Sequence, residues 1–273
     1  MITLLKHEFL QTRAMLGVVV GISAVITLAG ALLAATRWPV IAVLGESVAL
    51  MSTFLLVPLA QVLLAAQFWR SGFGRGGYLT QTLPQKGTTI YWAKMLWAWL
   101  VSLVGVVVAL AIALPAGALI MRGTGQEQPI LASLREGWST LAELAPGWGV
   151  PAVLATVAAL VLVWPTQYFF AASVGSQAPL NRLGVGGPIL VWVATYVVVQ
   201  VITFVSFATV PVAVGFSGDR LTLETFDLFA EMSAGSTGPA DVMPIGFLPA
   251  LLLTAVGCVV WSLHSWKRRV SLV

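Results

Sequence analysis

RSGFGRGGYLTQTLPQKGTTIYWAK, residues 70–94, decides how the rest of the chain is read. It is polar, carries Arg70, Arg75, Lys86 and Lys94, and contains no acid. At its centre stands Tyr78-Leu79-Thr80-Gln81-Thr82-Leu83-Pro84. Leu79 and Leu83 are four apart, so one helical turn puts them on the same face. Pro84 ends that turn, because its ring disfavours helical geometry in the residue before it. Gly76 and Gly77 let the chain enter sharply. The stretch predicts a short surface helix between two apolar segments, with an apolar knob pointing away. Such a knob has a use only if something docks on it.

The flanks are far more apolar. Of 273 residues, 59% are hydrophobic and 9% charged, where a soluble domain carries roughly 25% charged residues. The composition predicts an all-α polytopic membrane protein forming a single transmembrane domain over 1–273. Six segments can each supply the ~20 residues of a spanning helix: Leu16–Ala35, Val48–Trp69, Met95–Met121, Val150–Val174, Pro188–Phe216 and Ile245–Trp266. The basic residues fall between these spans and read as a topology signal rather than a nucleic-acid surface. With both termini cytoplasmic, ten of the 14 Lys and Arg residues lie inside, leaving Arg37, Arg122, Arg135 and Arg220 outside. Glu8 is then the one acid inside. The stretch 70–94 faces the cytoplasm in this arrangement.

Residues 1–15 place Ile2, Leu5 and Phe9 at helical spacing, with Lys6, Gln11 and Arg13 mostly elsewhere. They predict an amino-terminal amphipathic helix lying in the membrane interface, or a basic leader that only sets topology. The run Leu16–Ala35 is too long for a signal-peptide core, so the first span is expected to remain in the mature chain. In Gln128–Trp148, apolar residues recur every three or four positions, which predicts an amphipathic helix. Ser217–Met243 shows a weaker helical pattern through Leu221, Phe226, Phe229 and Met232. Both loops read as surface connectors or as outer gate elements. Prolines stand inside the spans at 58, 115, 165, 211 and 249, where each can kink a helix. Gly17 and Gly21 form a GxxxG that permits close helix packing.

The missing chemistry narrows the field. None of the six spans contains Asp, Glu, Lys or Arg, whereas ion-coupled transporters and proton pumps use buried ionisable relays. His7 and His264 are far apart, His7-Glu8 lacks the second histidine of a zinc helix, and Cys258 is a lone apolar-span residue. These features predict no catalytic, metal or cofactor-binding residues. The glycine-rich run 72–77 is not a phosphate loop, because no Lys-Ser or Lys-Thr follows it. Uphill transport would take its energy from another polypeptide.

The arrangement resembles the membrane subunits of ATP-binding-cassette exporters of the ABC-2 type. The shared features are an interfacial amino-terminal helix, six spans with both ends inside, and a basic loop between spans two and three. In that loop Gly77-Tyr-Leu-Thr-Gln-Thr-Leu-Pro84, then Ile90 and Ala93-Lys94, is similar to the family's "G-Y-L … T-L-P … I … K" pattern. Family members often carry an acid where Arg70 and Arg75 stand here. The resemblance implies a permease subunit of the cell membrane with no ATP site of its own. A separate cytoplasmic ATPase, present twice and holding ATP and Mg, would dock on the short coupling helix. Tyr78, Leu79, Thr80, Leu83, Pro84 and Lys86 would couple the two. Arg70, Arg75 and Lys94 would steer toward an acidic ATPase rim or touch anionic lipid headgroups. Six spans imply a dimer of permeases, a homodimer before a heterodimer. The uncharged interior favours export of a hydrophobic or amphiphilic cargo such as a drug, lipid or peptide. The competing readings are a secondary transporter or channel, a membrane-embedded enzyme, and a non-transporting anchor in sensing or antibiotic immunity.

Overall fold

The computed structural model describes residues 1–74, 77, 85–123, 125, 129–145, 147–217, 220–234 and 242–268. Six of its helices are long and apolar enough to cross a membrane. The chain divides into two units, 1–137 and 138–273.

The first unit is built from α1 (Ile2–Ala34), α2 (Pro39–Gly72) and α3 (Gly87–Gly123), each packed on the other two. Helix α1 has 33 residues and a length of about 50 Å. It runs unbroken past residue 15, so the interfacial helix expected before the first span is not a separate element. The physical reason lies in the sequence between Ile2 and Ala34, which holds no proline. Moreover, Glu8 and Thr12 in this stretch are buried rather than facing water.

A tight turn through Arg37, with φ of 62°, reverses the chain, and Pro39 starts α2 in the first-turn position where its missing N–H costs nothing. Near this turn the helices approach backbone to backbone. A Cβ on Gly45 would lie 2.5 Å from both Ala34 N and Gly30 O, and one on Gly123 would lie 2.5 Å from Ala35 Cα. Only glycine admits that approach. The GxxxG pair Gly17 and Gly21 takes no part in it, since a Cβ added at either position would meet no atom within 4 Å. Midway along, Ser23 Oγ donates to Ser52 O at 3.0 Å and Ser52 Oγ donates to Ser23 O at 3.2 Å. Thr27 and Thr53 hydroxyls pair at 3.2 Å. These are the small-residue, hydroxyl contacts that hold helices together in hydrocarbon.

The division between units falls within α4 (Ile130–Leu144), which realises the amphipathic helix expected in Gln128–Trp148. Its apolar positions Leu131, Leu134 and Trp138 are exposed.

The second unit packs α5 (Gly149–Gly175), α6 (Gly186–Thr209) and α8 (Leu248–Arg268) together. Leu180–Leu183 forms a single 3-10 turn between α5 and α6. Helix α6 stops at Thr209, seven residues short of the expected fifth span. Pro211 accounts for this, because it disfavours helix in the residue before it. Pro211 is therefore outside any helix, and Pro249 stands in the first turn of α8 instead of its interior.

Beyond Pro211 the chain forms strands that were not expected. β1 (Ala213–Ser217) pairs antiparallel with β2 (Arg220–Glu224) and with β3 (Val242–Pro244), in the order β2-β1-β3. The β1–β2 register runs from Ala213 opposite Glu224 to Ser217 opposite Arg220. The helical pattern read through Leu221 and Met232 survives only as the short α7 (Leu228–Ala234). Leu221 and Leu223 instead alternate with Thr222 and Glu224, the period of a strand.

Candidate functional site

The amino-terminal half of α1, the end of α2 and the start of α3 meet around a charged group. Lys94 Nζ donates to Glu8 Oε1 at 2.6 Å, and to Ser71 Oγ at 3.0 Å. The side chains of Lys94 and Glu8 are 5% and 12% exposed, so this is a buried ion pair. One ammonium thus ties together all three helices: Glu8 from α1, Ser71 from α2, and its own α3. The short, charge-assisted bonds are the strong class of hydrogen bond.

Local sequence explains the placement. Ser71 sits in the last turn of α2, with its hydroxyl also donating to Gln67 O at 2.8 Å. Lys94 lies two turns into α3, whose first turn is closed by the Thr89 and Ile90 amides donating to Lys86 O. Four residues beyond Glu8, Thr12 Oγ1 donates to Glu8 O at 2.8 Å and accepts from Trp97 Nε1 at 3.0 Å. Phe9 meets the edge of Trp97, centroids 5.8 Å apart. A second rung follows, where Gln61 Nε2 donates to Ser102 Oγ at 3.0 Å. At the same ends of α2 and α3, Phe68, Phe73 and Tyr91 are buried, and Phe68 meets each of the other two edge to face. Such packing excludes water and strengthens the charge interaction inside.

Of the residues singled out from sequence, Arg75, Tyr78, Leu79, Thr80, Leu83 and Pro84 lie outside the described residues. Arg70 and Lys86 are exposed on the two stems of the stretch 70–94. Lys94 is not. The expectation that it steers a partner or touches lipid headgroups gives way to an internal role, because its charge is already matched by Glu8 within the chain. Residue spacing does not point to Glu8, but its standing as the lone acid among the inner basic residues is a usable signal.

Compared with protein-family models, with curated proteins and with solved structures, the chain matches none of them. The class is therefore set by the fold. This is an α-helical, multi-pass membrane protein with a buried ion pair at one end of its first three helices.

Proposed function

We propose that the chain is the membrane-spanning permease subunit of an ATP-driven exporter of the ABC-2 type, seated in the cell membrane with both termini cytoplasmic. The observation that carries this reading is that the Lys94–Glu8–Ser71 cluster joins the two ends of the basic stretch 70–94. Ser71 and Lys94 stand on the two stems of that stretch, and Glu8 adds α1 to them. A force applied to the segment between the stems moves three helices together rather than one.

In this reading an ATPase subunit, two copies per complex, docks on the Tyr78–Leu83 segment. Leu79 and Leu83 supply the apolar anchors that dominate a small interface. The exposed Arg70 and Lys86 face an acidic rim of that subunit, and Lys94 passes the motion inward. A second permease copy completes the pathway, and a hydrophobic or amphiphilic cargo is exported.

The test is co-isolation in mild detergent followed by ATPase assay in proteoliposomes. A nucleotide-hydrolysing subunit is expected to accompany the wild-type chain. Leu83→Asp and Leu79→Asp are expected to abolish its stimulation by cargo while leaving the helical content unchanged. Wild-type stimulation in both variants, or the absence of any ATPase companion, overturns the reading.

A further inference from the structure

Beside the ion pair, the first unit holds a cavity of about 240 Å³ on its flank, between α1 and α3 with α2 as its floor. The floor residues Leu56 and Ala60 are buried, while Val104 on the rim is half exposed. The cavity therefore opens sideways, toward the surface these helices turn to the hydrocarbon. Its lining is apolar from Val20 and Val108 at the deep end to Phe9 and Trp97 at the other, with Arg13 as the single charge. Trp97 has already committed its indole N–H to Thr12. Arg13 is exposed and makes no ion pair or hydrogen bond with any described residue.

We propose that this groove is a binding site for an anionic phospholipid of the surrounding leaflet, with one acyl chain in the groove and the phosphate on Arg13. Three features select that occupant. Inward from Arg13 the groove continues along α1 through Leu16 and Val19 to Val20, and along α3 as far as Val108. At 1.5 Å per residue, Arg13 to Val20 is about 10 Å, which takes the upper part of an acyl chain within the ~15 Å depth of one leaflet's hydrocarbon. The volume falls below the ~300–1,000 Å³ of pockets for compact drug-sized ligands, which suits a narrow chain. Guanidinium groups pair with phosphate through two parallel hydrogen bonds, and Arg13 stands one turn in from the Phe9–Trp97 end. A second protein helix, about 10 Å across, fills neither the narrow groove nor the need of Arg13 for an anion.

The site is independent of what the complex exports. It is tested on the delipidated full chain in detergent by native mass spectrometry, titrating dioleoyl phosphatidylglycerol against dioleoyl phosphatidylcholine. The wild type is expected to bind one lipid per chain with about fivefold preference for the anionic headgroup, the size of one basic residue's attraction. Arg13→Gln is expected to bring the two lipids to parity. Val104→Trp, at an exposed position, fills the groove and is expected to lose both. Melting curves and circular dichroism of the variants exclude misfolding as the cause. Equal binding of both lipids by the wild type overturns the proposal, as does a preference unchanged in Arg13→Gln. Competition by glycerophosphate lacking chains, as effective as by the whole lipid, assigns Arg13 to a headgroup site without the groove and also overturns it. So does lipid release on dimer formation, which would give the groove to a second copy.

Discussion

The two units solve the same problem, holding apolar helices together, with different chemistry. Both bring backbones together at glycines, Gly30 and Gly45 in the first and Gly175 and Gly187 in the second, but the first also places a full charge pair inside, Lys94 with Glu8. The second uses neutral groups: Gln177 Nε2 donates to Ser265 Oγ at 2.6 Å, and Trp266 Nε1 to Ser173 Oγ at 3.2 Å. It also stacks Tyr168, Trp192 and Tyr196 in a ladder with successive centroids 6.2 and 6.0 Å apart. A neutral hydrogen bond lost leaves a dipole unsatisfied, whereas an ion pair broken leaves a charge in a low-dielectric site. The first unit is therefore more sensitive to single changes at its ion pair, and it is the unit that bears the stretch 70–94.

Breaking that pair is expected to have the largest effect. Lys94→Met strands the Glu8 carboxylate and should cost about 3–5 kcal/mol, with Glu8→Met similar. The Glu8→Met/Lys94→Met double variant should recover most of the loss, since paired charges are often replaceable by apolar residues together. Thermal unfolding in detergent measures all three. Additive losses in the double variant would show that the two side chains do not act as a pair.

The glycine contact comes next. Gly45→Val forces a side chain into the backbone of α1 and should destabilise by about 1–3 kcal/mol or more. Gly21→Val, whose surroundings are open, serves as the comparison and should leave the stability within about the ±0.5 kcal/mol typical of surface changes. Equal effects would mean that α1 packs through its GxxxG face instead.

The smallest effect is expected in the second unit. Ser265→Ala removes the acceptor for Gln177 and should cost about 1 kcal/mol. A loss as large as that from Lys94→Met would erase the contrast between the units.

Much of the fold was legible because hydrocarbon imposes a one-dimensional rule. An apolar run of sufficient length must be helical to satisfy its backbone, and all six runs appear as helices of that kind. The amphipathic helix at Ile130–Leu144 was legible from its period alone. The strands were not, since Leu221, Phe226 and Phe229 fit a loose helical spacing and strand pairing with β3 spans a long intervening segment. The span beginning at Pro188 was overextended because Val212–Phe216 is apolar enough to continue a helix, and only the backbone effect of Pro211 ends it. The buried site was half legible: Lys94 stood out as basic, but its partner is 86 residues away in sequence.

Sequence by itself determined the number of long apolar helices, the excess of basic residues at one set of loops, and the polar stretch 70–94 with Pro84 inside it. These depend on composition and local spacing. Only the tertiary structure decided that Lys94 faces inward, that Gly30 and Gly45 rather than Gly17 and Gly21 carry the tight packing, and that Arg13 stands unpaired among the described residues in the lining of a groove. Helical period assigns each residue to a face, but which face meets which neighbour depends on how three helices rotate against one another. That rotation is fixed by contacts between residues distant along the chain.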